Sequence, residues 1–133
     1  MKRVVIDPAA LLHLADNRYQ PNPDHQLVAP NSIRSAALDL LLKGVRDGEI
    51  TETTAMDLHE RITAVKIRLL GDRVSRRTAW KIAREHQWDS IGHAEYLAVT
   101  MLQADALVAL DPELAARSGG IVPLASISEL IAP

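Results

Sequence analysis

The 133-residue chain has no cysteine and no phenylalanine, and aromatic residues make up only 3% of it. Without cysteine there is neither a disulfide framework nor a thiolate metal site. A core without phenylalanine must be built from leucine, valine, isoleucine and alanine, within a hydrophobic content of 47%. No apolar run approaches the roughly 18 residues that a membrane helix needs. The apolar segment after Met1-Lys2-Arg3 is interrupted at Asp7-Pro8, and no small-residue cleavage site follows, so it does not read as a signal peptide. A net charge of −2 argues against wholesale electrostatic binding to nucleic acid, so any such contact must be local. There is no glycine-rich phosphate loop and no Gly-x-Ser-x-Gly elbow, and His59-Glu60 lacks the second histidine of a zinc-protease motif. His13, His25, His59 and His86 show no ligand spacing. The expectation is a soluble, cytoplasmic single domain over residues 1–133, with no membrane partner.

What the chain does contain is a repeated arrangement: VVIDPAALL at Val4–Leu12 and LVALDPELA at Leu107–Ala115. Each is an apolar, strand-like run ending in aspartate, followed by a proline suited to the first position of a helix. Between them the periodicity is helical. Apolar residues recur at helical spacing over Asn31–Val45, and a second helix is expected over Glu52–Leu70, with Gly71 in its C-terminal cap position. Ser75 is expected to cap a third helix, Arg76–His86, and a fourth starts at Ser90 or Gly92 with Ala94, Leu97, Ala98, Met101 and Leu102 turned inward. Strands are expected at Arg3–Ile6, as a short edge at Leu27–Ala29, at Ala106–Leu110 and at Ile121–Leu124, with Ser126 capping a short terminal helix. Strands at both ends with helices between them imply an α/β three-layer sandwich: a central parallel sheet of four or five strands with helices on both faces.

In such a sheet, ligands sit outside the carboxyl ends of the strands, where Asp7 and Asp111 stand. If their strands are neighbours, the two carboxylates share a crevice, and like charges that close call for a proton or a cation, with oxygen ligands suiting Mg²⁺ or Mn²⁺. The alternative is that each aspartate caps its helix. Arg76, Arg77, Lys81 and Arg84 form a second candidate, a basic face able to track an RNA backbone or to meet an acidic protein. The competing reading is a solvated face whose long stems shield Trp80 and Ile82.

The order of these residues resembles a PIN domain of the VapC toxin type. It has an N-terminal strand ending in aspartate, LVAP before the next helix, HAEYLAVT on a late helix, LVALD with LA soon after, and a final IVPLAS. The resemblance covers nearly the whole chain and is strongest over Trp88–Ala116. It implies a PIN-like sandwich and a metal-dependent endoribonuclease, the toxin of a toxin–antitoxin pair, in which four acids surround Mg²⁺ or Mn²⁺. Asp7 matches the first acid and Asp111 the last. The second falls on Ala36 and the third on His93, so the resemblance also admits a catalytically degenerate module that binds RNA or a protein partner. His93 could serve as a neutral imidazole ligand for Mn²⁺. Asp39, one turn beyond Ala36, and Asp89, four residues before His93, could supply replacement carboxylates. Their plainer roles are a solvated helix position and an N-terminal capping acid. An antitoxin-like protein is the implied partner, and the apolar surface of Asn31–Leu70 suggests a homodimer.

Overall fold

The computed structural model describes residues 1–133. In chain order the elements are β1 (Lys2–Ile6), α1 (Pro8–Asp16), β2 (His25–Pro30), α2 (Ile33–Arg46), α3 (Glu52–Ala64), β3 (Arg68–Leu70), α4 (Arg73–Glu85), α5 (Gly92–Gln103), β4 (Ala106–Val108) and α6 (Pro112–Ser118), closed by a 3-10 turn at Ile127–Leu130. The strands form one sheet in the order β3-β2-β1-β4, and every pairing is parallel.

The layers follow from handedness. Parallel crossovers are right-handed, so connections that step along the sheet in one direction cover one face and those that step back cover the other. From β1 to β2 to β3 the chain steps one way through α1, α2 and α3, which pack on one another. From β3 it returns across the sheet to β4 through α4 and α5, and α5 lies against β1, β2 and β4. The molecule is therefore a three-layer α/β sandwich. Its direction reverses between β1 and β4, and that gap is where a parallel sheet opens a binding crevice.

A sheet covered on both faces needs strands that are apolar on both sides. Val4, Val5 and Ile6 of β1, Val28 of β2 and Leu107 and Val108 of β4 are all buried and join one core with Leu11, Leu14, Ile33, Ile62, Leu97 and Leu114. Burying each such aliphatic side chain is worth about 1.5–3 kcal/mol.

Several boundaries depart from the sequence expectation. Leu27–Ala29 is not an edge but the middle of β2, which pairs with β1 on one side and β3 on the other. The edge on that side is β3, inside the stretch expected to be helical. α3 stops at Ala64, and Arg34 satisfies carbonyls at its end, donating to Ile62 O at 3.3 Å and to the O of the capping residue Val65 at 2.8 Å. Gly71 then follows a strand rather than a helix, at φ +156, where a β-carbon would sit 2.7 Å from Asn31 Nδ2. Asp72, not Ser75, caps α4, and Ser75 answers from N3 in a capping box. Met101 and Leu102 are 54% and 42% exposed, while Tyr96, Val99 and Thr100 take inward positions on α5. Ile121–Leu124 contributes one parallel bridge, Leu107 to Leu124, rather than a strand. No helix is long and apolar enough to cross a membrane.

Candidate functional site

β1 and β4 lie side by side with Val4, Val5 and Ile6 paired to Ala106, Leu107 and Val108, so Asp7 and the chain after Val108 leave the sheet at the same end. Asp7 is fully buried, and both its oxygens are engaged by backbone: Oδ1 accepts from Ala10 N at 2.8 Å and Oδ2 from Asp111 N at 2.9 Å. The first contact is an N-cap; the second ties the two aspartates together through a main-chain N–H. Burial pushes the Asp7 carboxyl above its ordinary value. Backbone N–H groups of Asp111, Ala10 and Leu110 oppose that shift, and the Asp111 charge adds to it. Asp111 caps α6 in turn, with Oδ1 accepting from Glu113 N at 3.3 Å.

His93, at the start of α5, faces Asp111 across the crevice, with Nε2 3.2 Å from Asp111 Oδ2. Its other nitrogen, Nδ1, lies 3.1 Å from Arg117 Nη1. A guanidinium can only donate, so Nδ1 must accept and carries no proton. The imidazole is then neutral, with its hydrogen on Nε2 and donated to Asp111: a hydrogen bond rather than an ion pair. Arg117 is fixed by two further contacts, Nη2 to Glu113 Oε1 at 2.9 Å and its guanidinium carbon 4.7 Å from the centre of the Trp88 ring. Contacts thus run in series from Asp7 through Asp111, His93 and Arg117 to Trp88, and the series carries a cation of its own.

This donor set does not suit a resident divalent ion. Mg²⁺ and Mn²⁺ want several free carboxylate oxygens, or a neutral imidazole with an open lone pair. Each Asp7 oxygen accepts one backbone N–H and keeps a single lone pair, Asp111 Oδ2 faces His93 Nε2, and the other imidazole nitrogen faces Arg117. Asp7 meets Asp111 through its backbone N–H and His93 meets Asp111 through its carboxylate, and no three His, Cys, Asp or Glu side chains are grouped so that they could hold a metal ion. Asp39 is exposed in a groove of ≈ 270 Å³ between α2 and α3, beside Glu52. Asp89 is exposed in the turn before α5, and the N-cap of that helix is Ile91, so the capping role expected for Asp89 is also unfilled. Neither makes an ion pair or hydrogen bond to the crevice residues. The structure brings together Asp7, Asp111 and His93, and leaves Asp39 and Asp89 outside.

Two crevice residues escaped the sequence reading. Arg117 pairs with Glu113 one turn before it, and nothing in one dimension announced its contacts with His93 and Trp88. Tyr96 is buried at 6% exposure, and its hydroxyl has no hydrogen-bond partner. Its pKa is driven far above the ordinary value, first by burial and then by the charges of Asp7 and Glu95. The expected basic residues Arg76, Arg77, Lys81 and Arg84 are all exposed on α4, but their stems do not shield Trp80, which is 62% exposed. Ile82 is buried as expected. A cavity of ≈ 830 Å³ lies elsewhere, between the end of α1, the start of β2 and the segment after α3, and none of the candidate residues lines it.

No protein-family model matches the chain, and no curated protein matches it in sequence. Among solved structures, it is similar to the crystal structure of PAE2754 from Pyrobaculum aerophilum, with a TM-score of 0.67 over 96% of this chain and 92% of that one, at 19% identity. The likeness is one of fold.

Proposed function

We propose that this chain is a PIN-type relative of the toxin–antitoxin endoribonucleases whose centre has exchanged metal-dependent cleavage for an internal Asp–His–Arg network, leaving binding of RNA as its activity. The single observation that carries the loss of cleavage is Arg117 donating to His93 at 3.1 Å, which supplies a protein cation where the PIN pattern has a metal held by acids. Support for the family comes from the order of VVID, LVAP, HAEYLAVT and LVALD, and from the reversal of the sheet between β1 and β4. Two-metal hydrolysis must hold hydrated ions and aim a water in line with the phosphate. With Ala36 and His93 in place of two acids, no hydrolytic step is assigned to these residues. Asp7 and Asp111 act instead as caps that fix the crevice.

Calorimetric titration of Mn²⁺ into wild type and Asp7→Asn, beside an RNA-cleavage assay with and without EDTA, tests the reading. The expected result is no saturable binding at millimolar metal and no EDTA-sensitive cleavage; saturable binding abolished by Asp7→Asn would restore the metal-dependent nuclease. A cytoplasmic location, an antitoxin-like partner and a homodimer through α2 and α3 complete the proposal. The dimer is supported by Leu38, Leu42 and Met56, exposed at 36%, 58% and 48% along the α2–α3 groove. Sedimentation showing only monomer at tens of micromolar would remove it.

A further inference from the structure

α4 carries five of the chain's fifteen lysines and arginines within thirteen residues: Arg73, Arg76, Arg77, Lys81 and Arg84. All five are exposed, and none takes part in an ion pair, although cations elsewhere on the surface do. The nearest acids in sequence lie at the two ends of the helix: Asp72, whose carboxylate is turned to its own backbone as the N-cap, and Glu85. At about 100° per residue, Arg73, Arg76, Arg77 and Arg84 all fall within about 60° of Trp80, with Arg76 on one side of it and the other three on the other, and Lys81 lies about 100° away. Its indole is 62% exposed, among the most exposed large apolar side chains of the molecule.

An aromatic ring left in water at the centre of unpaired cations is unfavourable for an isolated domain, and each half of the combination needs an occupant. The cations call for a polyanion. Four of the five are arginines, whose forked donors match phosphate oxygens. The ring calls for a flat apolar partner. A phosphodiester strand with unpaired bases supplies both at once, phosphates to the guanidinium groups and a base to the indole face. A duplex does not, because its bases are already stacked and the deep groove of A-form RNA is too narrow to be read. An acidic peptide would satisfy the charges and leave the ring without a stacking partner.

We infer that the exposed face of α4 is a single-stranded RNA platform, with Trp80 stacking a base and Arg73, Arg76, Arg77 and Arg84 holding the flanking phosphates. The five cations span about 16 Å of helix, enough for two or three nucleotides of extended strand. This inference rests on the RNA-binding reading above but not on the fate of the metal centre. The platform leads toward the crevice: α4 ends at Glu85, His86 stacks 5.1 Å from Trp88, and Trp88 is the ring covered by Arg117.

The test is anisotropy of a labelled oligouridylate against wild type, Trp80→Ala, Trp80→Phe and Arg77→Ala/Arg84→Ala, with the same oligonucleotide in a duplex and polyglutamate as competing polyanions. Circular dichroism establishes that the exposed substitutions leave the fold intact. Trp80→Ala should weaken single-strand binding about tenfold, Trp80→Phe should recover most of it, and binding should quench tryptophan fluorescence in wild type but not in Trp80→Phe. The double arginine variant should flatten the slope of log affinity against log salt by about 1.4, at about 0.7 for each phosphate that an arginine no longer neutralises. Single-strand binding that is indifferent to all these substitutions would overturn the platform and leave RNA binding elsewhere on the chain. Equal affinity for polyglutamate, or no RNA binding at all, would overturn the RNA reading itself and favour an acidic protein partner.

Discussion

Replacing Arg117 by methionine tests the crevice most directly, because it keeps an apolar stem against Trp88 and removes the guanidinium that occupies His93. Two effects of opposite sign are expected. The hydrogen bond to His93 is worth about 1 kcal/mol, and the contact with the Trp88 ring about 0.5–1 kcal/mol. The pair with Glu113, whose side chain is 63% exposed, adds little. One guanidinium makes all three contacts, so they do not add, and the net destabilisation is about 1–2 kcal/mol, or roughly 3–8 °C in Tm. Divalent-cation affinity should rise. The two hydrogen bonds of 3.1 and 3.2 Å, with the imidazole between them, put the guanidinium roughly 8 Å from the Asp111 carboxylate. At that distance a double charge near Asp111 is repelled by about 1 kcal/mol at the dielectric constant of water and about 4 kcal/mol at an effective value of 20. Salt at about 0.15 M screens this to about 0.4–1.5 kcal/mol, a gain of about two- to tenfold in affinity when the cation is removed. The assay is free Mn²⁺ by electron paramagnetic resonance, with imidazole ¹⁵N shifts to follow His93. In wild type the shifts should show a hydrogen on Nε2 and none on Nδ1. A protonated Nδ1 in wild type, or a variant that binds Mn²⁺ no better than wild type, would refute the reasoning.

Three further outcomes follow from the same contacts. Tyr96→Phe deletes a buried hydroxyl that has no partner and should stabilise the fold by about 1 kcal/mol in chemical denaturation; a decrease of that size would mean that the hydroxyl is satisfied. Because burial and the Asp7 charge both raise its pKa, Tyr96 should remain un-ionised when Tyr19 titrates, so a spectrophotometric titration should release one of the two phenols only on alkaline unfolding. Asp7 binds its proton more readily folded than unfolded, so its contribution to stability should improve as pH falls through the folded-state value and be complete below about 3.8, its ordinary value. Thermal melts of wild type and Asp7→Asn should therefore diverge in favour of wild type between pH 7 and pH 4, and a shrinking gap would contradict the sign.

The layers of the fold were legible because both signals that specify them are local. Continuous apolar runs at Val4–Ile6 and Ala106–Val108 mark strands buried on two faces, and 3.6-residue periodicity marks the helices. What escaped was decided by partners distant in sequence. Lys66–Leu70 continues a helical stripe through Leu69, yet the helix ends at Ala64, where Arg34 takes the carbonyls of Ile62 and Val65, and Arg68–Leu70 pairs with β2. Ile121–Leu124 has strand composition, yet only Leu124 bridges to Leu107. In the crevice, Asp7 and Asp111 were readable from the repeated Asp-Pro arrangement and His93 from the PIN pattern. Arg117 was not, because its role depends on α6 laying it against His93 and Trp88.

Capping and metal binding are not rival explanations of a strand-end aspartate so much as successive claims on the same oxygens. A carboxylate between a strand and a helix is held first by the backbone, as Asp7 is by Ala10 N, and only the oxygen turned toward the crevice is available for an ion. Whether that oxygen stays free depends on its neighbours. With acids at positions 36 and 93 the crevice would carry repelling charges that a cation relieves. With Ala36 there is no second charge from α2, and with His93 the Asp111 carboxylate finds a neutral donor. The Asp7 oxygen accepts from Asp111 N, and the cation beside His93 is Arg117, from α6. On the proposed PIN-type reading, Ala36 and His93 bear on function together, since each stands where that reading expects an acid.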